Sequence, residues 1–384
     1  MSARLPHDFE RFKRNLPRDA AGYIRETYGV NLTARYLGYP LPHPIGKGSG
    51  QLSLNLDQLE ADRAAGLAFV VLKTLIGEDA EGDRSMGAWA VHESRMRVEQ
   101  RASREGKAGW TVTWKGRGWD RSFEEYLALV RAGRDITRGG DMVVVPSAKL
   151  HLPRLDESFR DREYRHTIGG IAGAWGSAPL PIEKDFSPTL AGDSLAGERA
   201  QILRWLREVP RRIRDAVDVP VRLALKLMNA RFDDAFQLEM IEAASAADTL
   251  VCFNRLWDAD AGVAYGGYDL SDRNLRVLAS RPRHRDGPAY AGTGNICSGR
   301  MLLEYARLGC ESVQLHTFFQ LPLGEYPAVA GSRTQRALHA LLFDPADGLV
   351  AGMLQLETEG LLERRGGELH FLDVTTMRGA ANPA

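Results

Sequence analysis

From residue 45 onward the chain alternates between short apolar runs and stretches in which apolar positions recur every three or four residues, the pattern of strands followed by amphipathic helices. The first run is Pro44-Ile-Gly-Lys-Gly-Ser-Gly50 and the second Leu67-Ala-Phe-Val-Val-Leu-Lys-Thr74, with a helix predicted over 55–65 between them. The same rhythm predicts strands over 142–146, 180–186, 221–226, 249–254, 287–291 and 312–316. Helices over 123–132, 157–172, 196–217, 233–246, 274–279 and 301–308 interleave with them. Strands joined by right-handed helical crossovers build a parallel sheet, and about eight such units over this length favour closure into a (β/α)8 TIM barrel of the α/β class. Residues 1–40 read as an N-terminal extension packed on the barrel through the stripe Phe9, Phe12 and Leu16, and 41–343 as the barrel itself. A long insertion after strand two covers 75–120, and 344–384 form a small C-terminal appendage, with a helix over 349–362 and a hairpin over 363–374.

In a parallel α/β barrel the chemistry sits at the C-terminal ends of the strands. The polar residues falling there are Ser49, Lys73, residues 184–187, Lys226, Asn254, the glycine turn from Gly292, and His316 with Thr317. The turn Tyr290-Ala-Gly-Thr-Gly-Asn-Ile-Cys-Ser-Gly-Arg300 lies between an apolar run and a helical stretch, so Gly292 and Gly294 stand where backbone N–H groups converge on a phosphate. Ordinary βα-loop chemistry is the alternative for a bare Gly-x-Gly. Lys73 and Lys226 each close an apolar strand, and two ammonium groups at one mouth imply an anionic ligand; snorkelling lysines are the alternative. The insertion carries Trp110, Trp114 and Trp119 and has the length of a lid.

Composition narrows the class. A hydrophobic fraction of 44% with 26% charged residues suits a globular enzyme, and no apolar run approaches the ~18 residues of a membrane span. With 50 basic and 50 acidic residues there is no overall charge to attract nucleic acid, and the arginines of 204–214, interleaved with Glu208, read as a solvated helix face. Cys252, Cys297 and Cys310 are odd in number and lack C-x-x-C spacing, which argues against a disulfide framework or an iron–sulfur site and for a reducing compartment. The N-terminus has no charged-then-apolar layout of a signal peptide, so a cytoplasmic location is expected. No metal site is expected, His316 having no suitably spaced partner.

Gly48-Ser-Gly50, Val71-Leu-Lys-Thr74, Asp185-Phe-Ser-Pro-Thr-Leu-Ala-Gly192, Leu223-Ala-Leu-Lys226, Cys252-Phe-Asn254, Gly266-Gly267, Gly292-Thr-Gly-Asn-Ile-Cys-Ser-Gly299 and Val313-Gln-Leu-His-Thr317 follow one another in the order and spacing found in dihydroorotate dehydrogenase and dihydropyrimidine dehydrogenase barrels. Over residues 40–325 the chain resembles a divergent member of that family. The resemblance implies an FMN-binding barrel with the flavin across the strand ends and its phosphate on Gly292, Gly294, Asn295, His316 and Thr317. It implies that Ser49, Gly50, Lys73, Lys226, Asn254, Gly266 and Gly267 contact the cofactor, with Lys226 stabilising the anionic reduced flavin. It gives Ser187 the role of proton relay, with Lys73 beside it in catalysis, and makes Lys184, Asn254, Thr189 and Trp114 substrate contacts.

The chain also departs from that pattern. The substrate loop reads Lys184-Asp-Phe-Ser-Pro-Thr189 where the family has paired asparagines, and Thr111-Val-Thr-Trp-Lys115 supplies no amide either, so orotate recognition is largely gone. Asn295 stands where a second glycine is usual and His316 replaces the glycine before Thr317; main-chain donors survive such changes if the added side chains point away. The expectation is an FMN-dependent oxidoreductase acting on a C–C bond next to a carbonyl in a small, cyclic, anionic substrate other than orotate. Its electron partner would be soluble, and family barrels are often dimers. A non-redox flavin enzyme and a flavin-free barrel that binds a small anion remain as alternatives.

Overall fold

The computed structural model describes residues 4–87, 97–102, 108–114, 118–186, 199–230, 232–258, 263–266, 270–282 and 286–377. Its centre is a ten-stranded, wholly parallel sheet. The strands in chain order are β1 (Ile45–Lys47), β2 (Phe69–Val71), β3 (Leu75–Ile76), β4 (Val143–Val145), β5 (Ser147–Lys149), β6 (Leu180–Asp185), β7 (Val221–Lys226), β8 (Thr249–Cys252), β9 (Ala289–Thr293) and β10 (Cys310–Leu315). They lie side by side in the order β3-β5-β6-β7-β8-β9-β10-β1-β2-β4. Helices fall between them as the apolar rhythm requires, giving a mixed α/β architecture of the TIM-like kind. Most strand positions are buried, which is why these segments read as continuous apolar runs rather than alternating ones.

Two predicted strands are each followed by a further short strand, β3 within the span expected to be insertion and β5 past the expected end at 146. The run over 67–74 is interrupted before Leu75, and the run over 142–146 resumes past Pro146 as β5. Proline has no N–H to give the ladder, but its carbonyl still accepts from Glu183 N at 2.8 Å, so the chain direction carries through. β2 pairs with β4 and β3 with β5, and β1 pairs on one side with β10 and on the other with β2.

Helix starts follow their caps. Asn55 accepts from Gln58 N ahead of helix Leu56–Ala64, and Ser122 forms a reciprocal box with Glu125 ahead of Phe123–Gly139. That second helix runs past the predicted end at 132 to Gly139, where Gly140 takes the left-handed conformation.

The two ends of the chain are joined. Val30–Asn31 pairs in parallel with Leu369–His370, and Arg25 bonds Glu368 at 2.6 Å. The hairpin predicted over 363–374 is therefore corrected: only Arg365 and Glu368 bridge across the Gly366-Gly367 turn. The chain then finds its strand partner in residues 30–31, and Phe371–Thr376 is helical, burying Phe371 and Val374. The N-terminal stripe packs inward, with Phe12 edge-on to Phe343 at 5.0 Å and Phe9 stacked on His339 at 4.5 Å. A second hairpin, Ala34–Tyr36 with Tyr39–Leu41, lies by the N-terminal ends of the strands, where Arg222 at the start of β7 sits over the Tyr39 ring.

The insertion after strand two forms strands Arg97–Ala102 and Ala108–Trp114 of a four-stranded antiparallel sheet. Its other two strands, Leu256–Asp258 and Val263–Gly266, come from the excursion after β8, so the two excursions are locked to one another.

One buried ion pair ties three elements beneath the strand ends. Lys47 Nζ on β1 lies 2.5 Å and 2.7 Å from the two Asp62 oxygens of helix Leu56–Ala64, and Thr334 of helix Arg333–Phe343 donates to Asp62 at 2.7 Å. Burial pushes the Lys47 ammonium down and the Asp62 carboxyl up, and each is partly held by the other. Asp62→Ala leaves Lys47 buried without its counter-charge and is expected to cost about 3–5 kcal/mol in urea unfolding. A loss below ~1 kcal/mol would show that the pair does not anchor these elements.

Candidate functional site: a cationic mouth at the strand ends

β6 sets the site through its alternation. Glu183 and Asp185 share one face and Lys184 and Phe186 the other. On the first face, Glu183 Oε2 accepts from Gln314 Nε2 at 2.6 Å and from Tyr36 OH at 3.1 Å, and Gln314 Nε2 also donates to the Tyr36 oxygen at 2.8 Å. Lys226 Nζ, at the end of β7, lies 3.9 Å from Glu183 Oε1. One residue above, Asp185 pairs in register with Lys226. Burial pushes the Asp185 carboxyl up, yet Lys149, Lys226, Arg255 and Lys184 together bring it below the ordinary carboxylate range. Thr74 Oγ1 lies 3.4 Å from Asp185 Oδ2, 3.1 Å from Ser147 Oγ and 2.7 Å from Ser49 Oγ, a hydroxyl chain across the strand ends. Asp185 Oδ1, Glu183 Oε1 and Gln314 Oε1 are buried acceptors with no hydrogen-bond donor among the described residues.

Lys73 follows β2 and is buried, its backbone N–H bonded to Ser53 O at 3.0 Å. Lys149 closes β5, and burial lowers it to about 8; Asp185 works against that fall, while Arg255 and Lys226 add to it. Lys184, read as a substrate contact, stands on the opposite face of β6 from Asp185. Its Nζ donates to Asp185 O at 3.1 Å and lies 4.4 Å from the centre of the Phe186 ring. Burial takes Lys184 down to about 7, against the pull of Asp185.

The glycine turn is built differently from its prediction. Gly292 belongs to β9, and a Cβ there would lie 2.6 Å from Tyr305 Cδ1, so its smallness serves the close packing of helix Gly299–Arg307 on the sheet. The turn proper starts at Gly294, with φ of 106°, and Asn295, with φ of 50°. Tyr305 OH and Asn274 Nδ2 fix it by donating to Gly294 O at 2.9 Å and Thr293 O at 2.8 Å. Asn295 Nδ2 donates to Ser271 Oγ at 3.2 Å. Ser298 caps the helix that follows.

His316 turns inward instead. A Cβ on Gly50 would lie 1.7 Å from His316 Nε2, so only glycine fits beneath the ring, and Gln320 Nε2 lies 2.8 Å from His316 Nδ1. Burial and the field of Lys73, Lys226, Arg255 and Lys47 keep this imidazole neutral. Trp110, Asn254, Arg255, Gly294, Asn295, Gln314, His316 and Thr317 line one cleft, open at its mouth. Asn254 is held by its N–H to Leu227 O at 2.7 Å and by Asn229 Nδ2, which donates to Asn254 O at 2.6 Å.

Of the remaining expected residues, Gly266 pairs with Val112 in the antiparallel sheet, and Trp114 is the last residue of a strand in that sheet. Ser187, Thr189 and Gly267 lie outside the described residues. Lys149, past the strand end predicted at Pro146, and Arg255, which directly follows Asn254, are functional candidates that the sequence pattern does not single out. Asp185 falls within the strand-end stretch 184–187 but has no role of its own in the expected site, and its alternation with Glu183 is the available signal. Among the described residues, no group of three or more His, Cys, Asp or Glu could hold a metal, and no helix is long and apolar enough to cross a membrane. No protein-family model and no curated protein matches this chain.

The two depressed lysines set a pH dependence. An unfolded lysine stays protonated to about pH 10.4, whereas Lys184 and Lys149 lose their protons near about 7 and about 8 when folded. The unfolded state then binds more protons between these limits, so these two groups make stability rise with pH from about 7 to 10. Lys184→Met is expected to raise the urea midpoint at pH 7 and to flatten its rise towards pH 9.5. A midpoint for the variant that falls, with an unchanged slope, would contradict this.

Proposed function

We propose that this chain is an FMN-dependent oxidoreductase of the dihydroorotate dehydrogenase-like superfamily, built on a closed (β/α)8 barrel. Closure is supported by the pairing pattern: β2 and β3 are successive pieces of one run, as are β4 and β5, so the outermost strands of the sheet order belong to runs that already pair with each other. Eight runs then each have a neighbour on both sides, and the chemistry gathers at one rim.

The observation that carries the functional reading is that Asn254, Arg255 and the Gly294–Asn295 turn line one cleft with His316, an imidazole on which the buried Lys73 and Lys226 also act. The donor set suits a flavin nucleotide: main-chain N–H groups of the turn and the capped helix start would hold its phosphate, and Lys226 would supply positive charge to a reduced ring. When bound, the flavin would supply a hydride acceptor or donor. Lys73 and Asn254 orient the substrate, an anionic ring other than orotate, and Thr74 and Ser49 offer a hydroxyl path by which a proton reaches Asp185. Ser187 remains the proposed relay at carbon, and the electron partner is a soluble acceptor. His316 over Gly50 favours one second reading, a flavin-free barrel that binds a small anion, because the ring fills space above the cradle.

The visible spectrum after incubation with FMN and gel filtration tests the proposal: flavin bands should remain with the protein. Lys226→Met removes a charge-assisted contact of about 1.5–3 kcal/mol, which corresponds to a loss of roughly tenfold to a hundredfold in FMN affinity. A colourless protein that takes up no FMN would leave the flavin-free reading standing.

A further inference from the structure

We infer that the chain holds a second small-molecule site, at the opposite end of the strands from the cleft, whose ligand is an amphipathic zwitterion: a carboxylate and an amine joined by an apolar chain. The inference does not depend on the flavin reading.

The site is a hollow of about 830 Å³ bordered by helices Arg199–Asp215 and Asp234–Ala243 and by the connection from helix Leu270–Ser280 into β9. That volume falls in the range of small-molecule sites, roughly 300–1,000 Å³. Tyr290, the second residue of β9, lines the hollow, whereas Thr293, the last, lines the cleft; at about 3.3 Å per residue these two positions are roughly 10 Å apart along one strand. Ala235, Ser245, Ser280 and Gly287 border the space with side chains too short to fill it.

The lining divides into three kinds of group. On the buried side lies Arg281, 9% exposed, with its guanidinium 3.7 Å from the centre of the Tyr290 ring and Nη2 donating to Leu308 O at 2.6 Å. Its Nε has no acceptor, and among the described residues no carboxylate pairs with it. A guanidinium held out of water without a counter-charge favours an arriving carboxylate, which it can bind by charge-assisted hydrogen bonds. Leu238, Ile241, Pro282 and Pro288 supply an apolar wall. On the exposed side, Glu239 and Glu242, three apart on one helix, and Asp286 stand against a single cation, Arg207. That excess of acid attracts an amine and repels a second carboxylate. A simple anion would use only Arg281, and a simple amine only the glutamates.

Hexanoate, 1-aminohexane and 6-aminohexanoate share a six-carbon chain and differ in their end groups, which makes them the probes. Isothermal titration at low salt on the full chain is expected to show 6-aminohexanoate binding at least ~10-fold more tightly than either of the others, each of which lacks one charged contact. The double variant Glu239→Gln, Glu242→Gln alters two exposed side chains and should bring 6-aminohexanoate level with hexanoate. Glu10→Gln, an exposed carboxylate elsewhere, should leave the preference as it is. Arg281→Gln should bring 6-aminohexanoate level with 1-aminohexane, and Arg281→Lys should keep the preference, which separates loss of charge from loss of fold. Saturating FMN should leave the affinity unchanged, because the cleft lies at the other end of β9. Equal affinities for the three probes, no measurable binding at millimolar concentration, a preference that survives the glutamate double variant, or displacement by FMN would each overturn the inference.

Discussion

The strand-end arrangement depends on one electrostatic balance: the cost of taking Lys73, Lys149, Lys226 and Arg255 wholly or partly out of water, set against the field of Glu183 and Asp185. Two carboxylates spaced by two residues on one strand face the same way, so β6 delivers both to the same side as the neighbouring lysines. Asp185 is held below the ordinary carboxylate range in spite of burial because cations on β5 and β7 and after β8 surround it. The layer beneath uses the same economy: Tyr36 and Gln314 satisfy one oxygen of Glu183, and the other faces Lys226. Lys47 and Asp62 complete it by anchoring β1 to two helices.

That balance connects fold to function. Parallel strands bring their last residues to one rim, and the covering segments come from two separate excursions that share an antiparallel sheet, from which Trp110 reaches the cleft. The turn at Gly294 and Asn295 is held by Asn274 and Tyr305 from two different helices, so its shape is set before any ligand arrives. Gly50 and His316 form a matched pair in which absence of a side chain on one strand-end loop makes room for an imidazole on another.

The strands and helices were legible because buried parallel strands and amphipathic helices leave different apolar periods, and 221–226 is found at its predicted bounds. Legibility failed where a local signal was outweighed by a distant partner. Pro146 looked like an end, but the ladder passes through its carbonyl to β5, which hid Lys149. The glycines at 366 and 367 promised a hairpin, but the strand beyond them pairs with residues more than three hundred positions earlier. Gly292 looked like part of a phosphate turn, and its smallness is required instead by the Tyr305 ring. Within the site, Lys73, Lys226, Asn254, Asn295, His316 and Thr317 could be named from motif order. The direction of Lys184 away from Asp185 required the strand register, and the inward turn of His316 required the contact with Gly50.

The central claim is that the strand ends of β1 through β10 form one ligand site that is cationic on the Lys149 side and phosphate-binding at the Gly294 turn. A crystal structure grown with FMN tests it most directly. The account expects the nucleotide across the strand ends, its phosphate against residues 294–297 and its ring beside Lys226, with His316 either stacked at its edge or displaced from above Gly50. Nucleotide bound elsewhere on the protein, or a mouth whose lysines turn away into solvent, would contradict it.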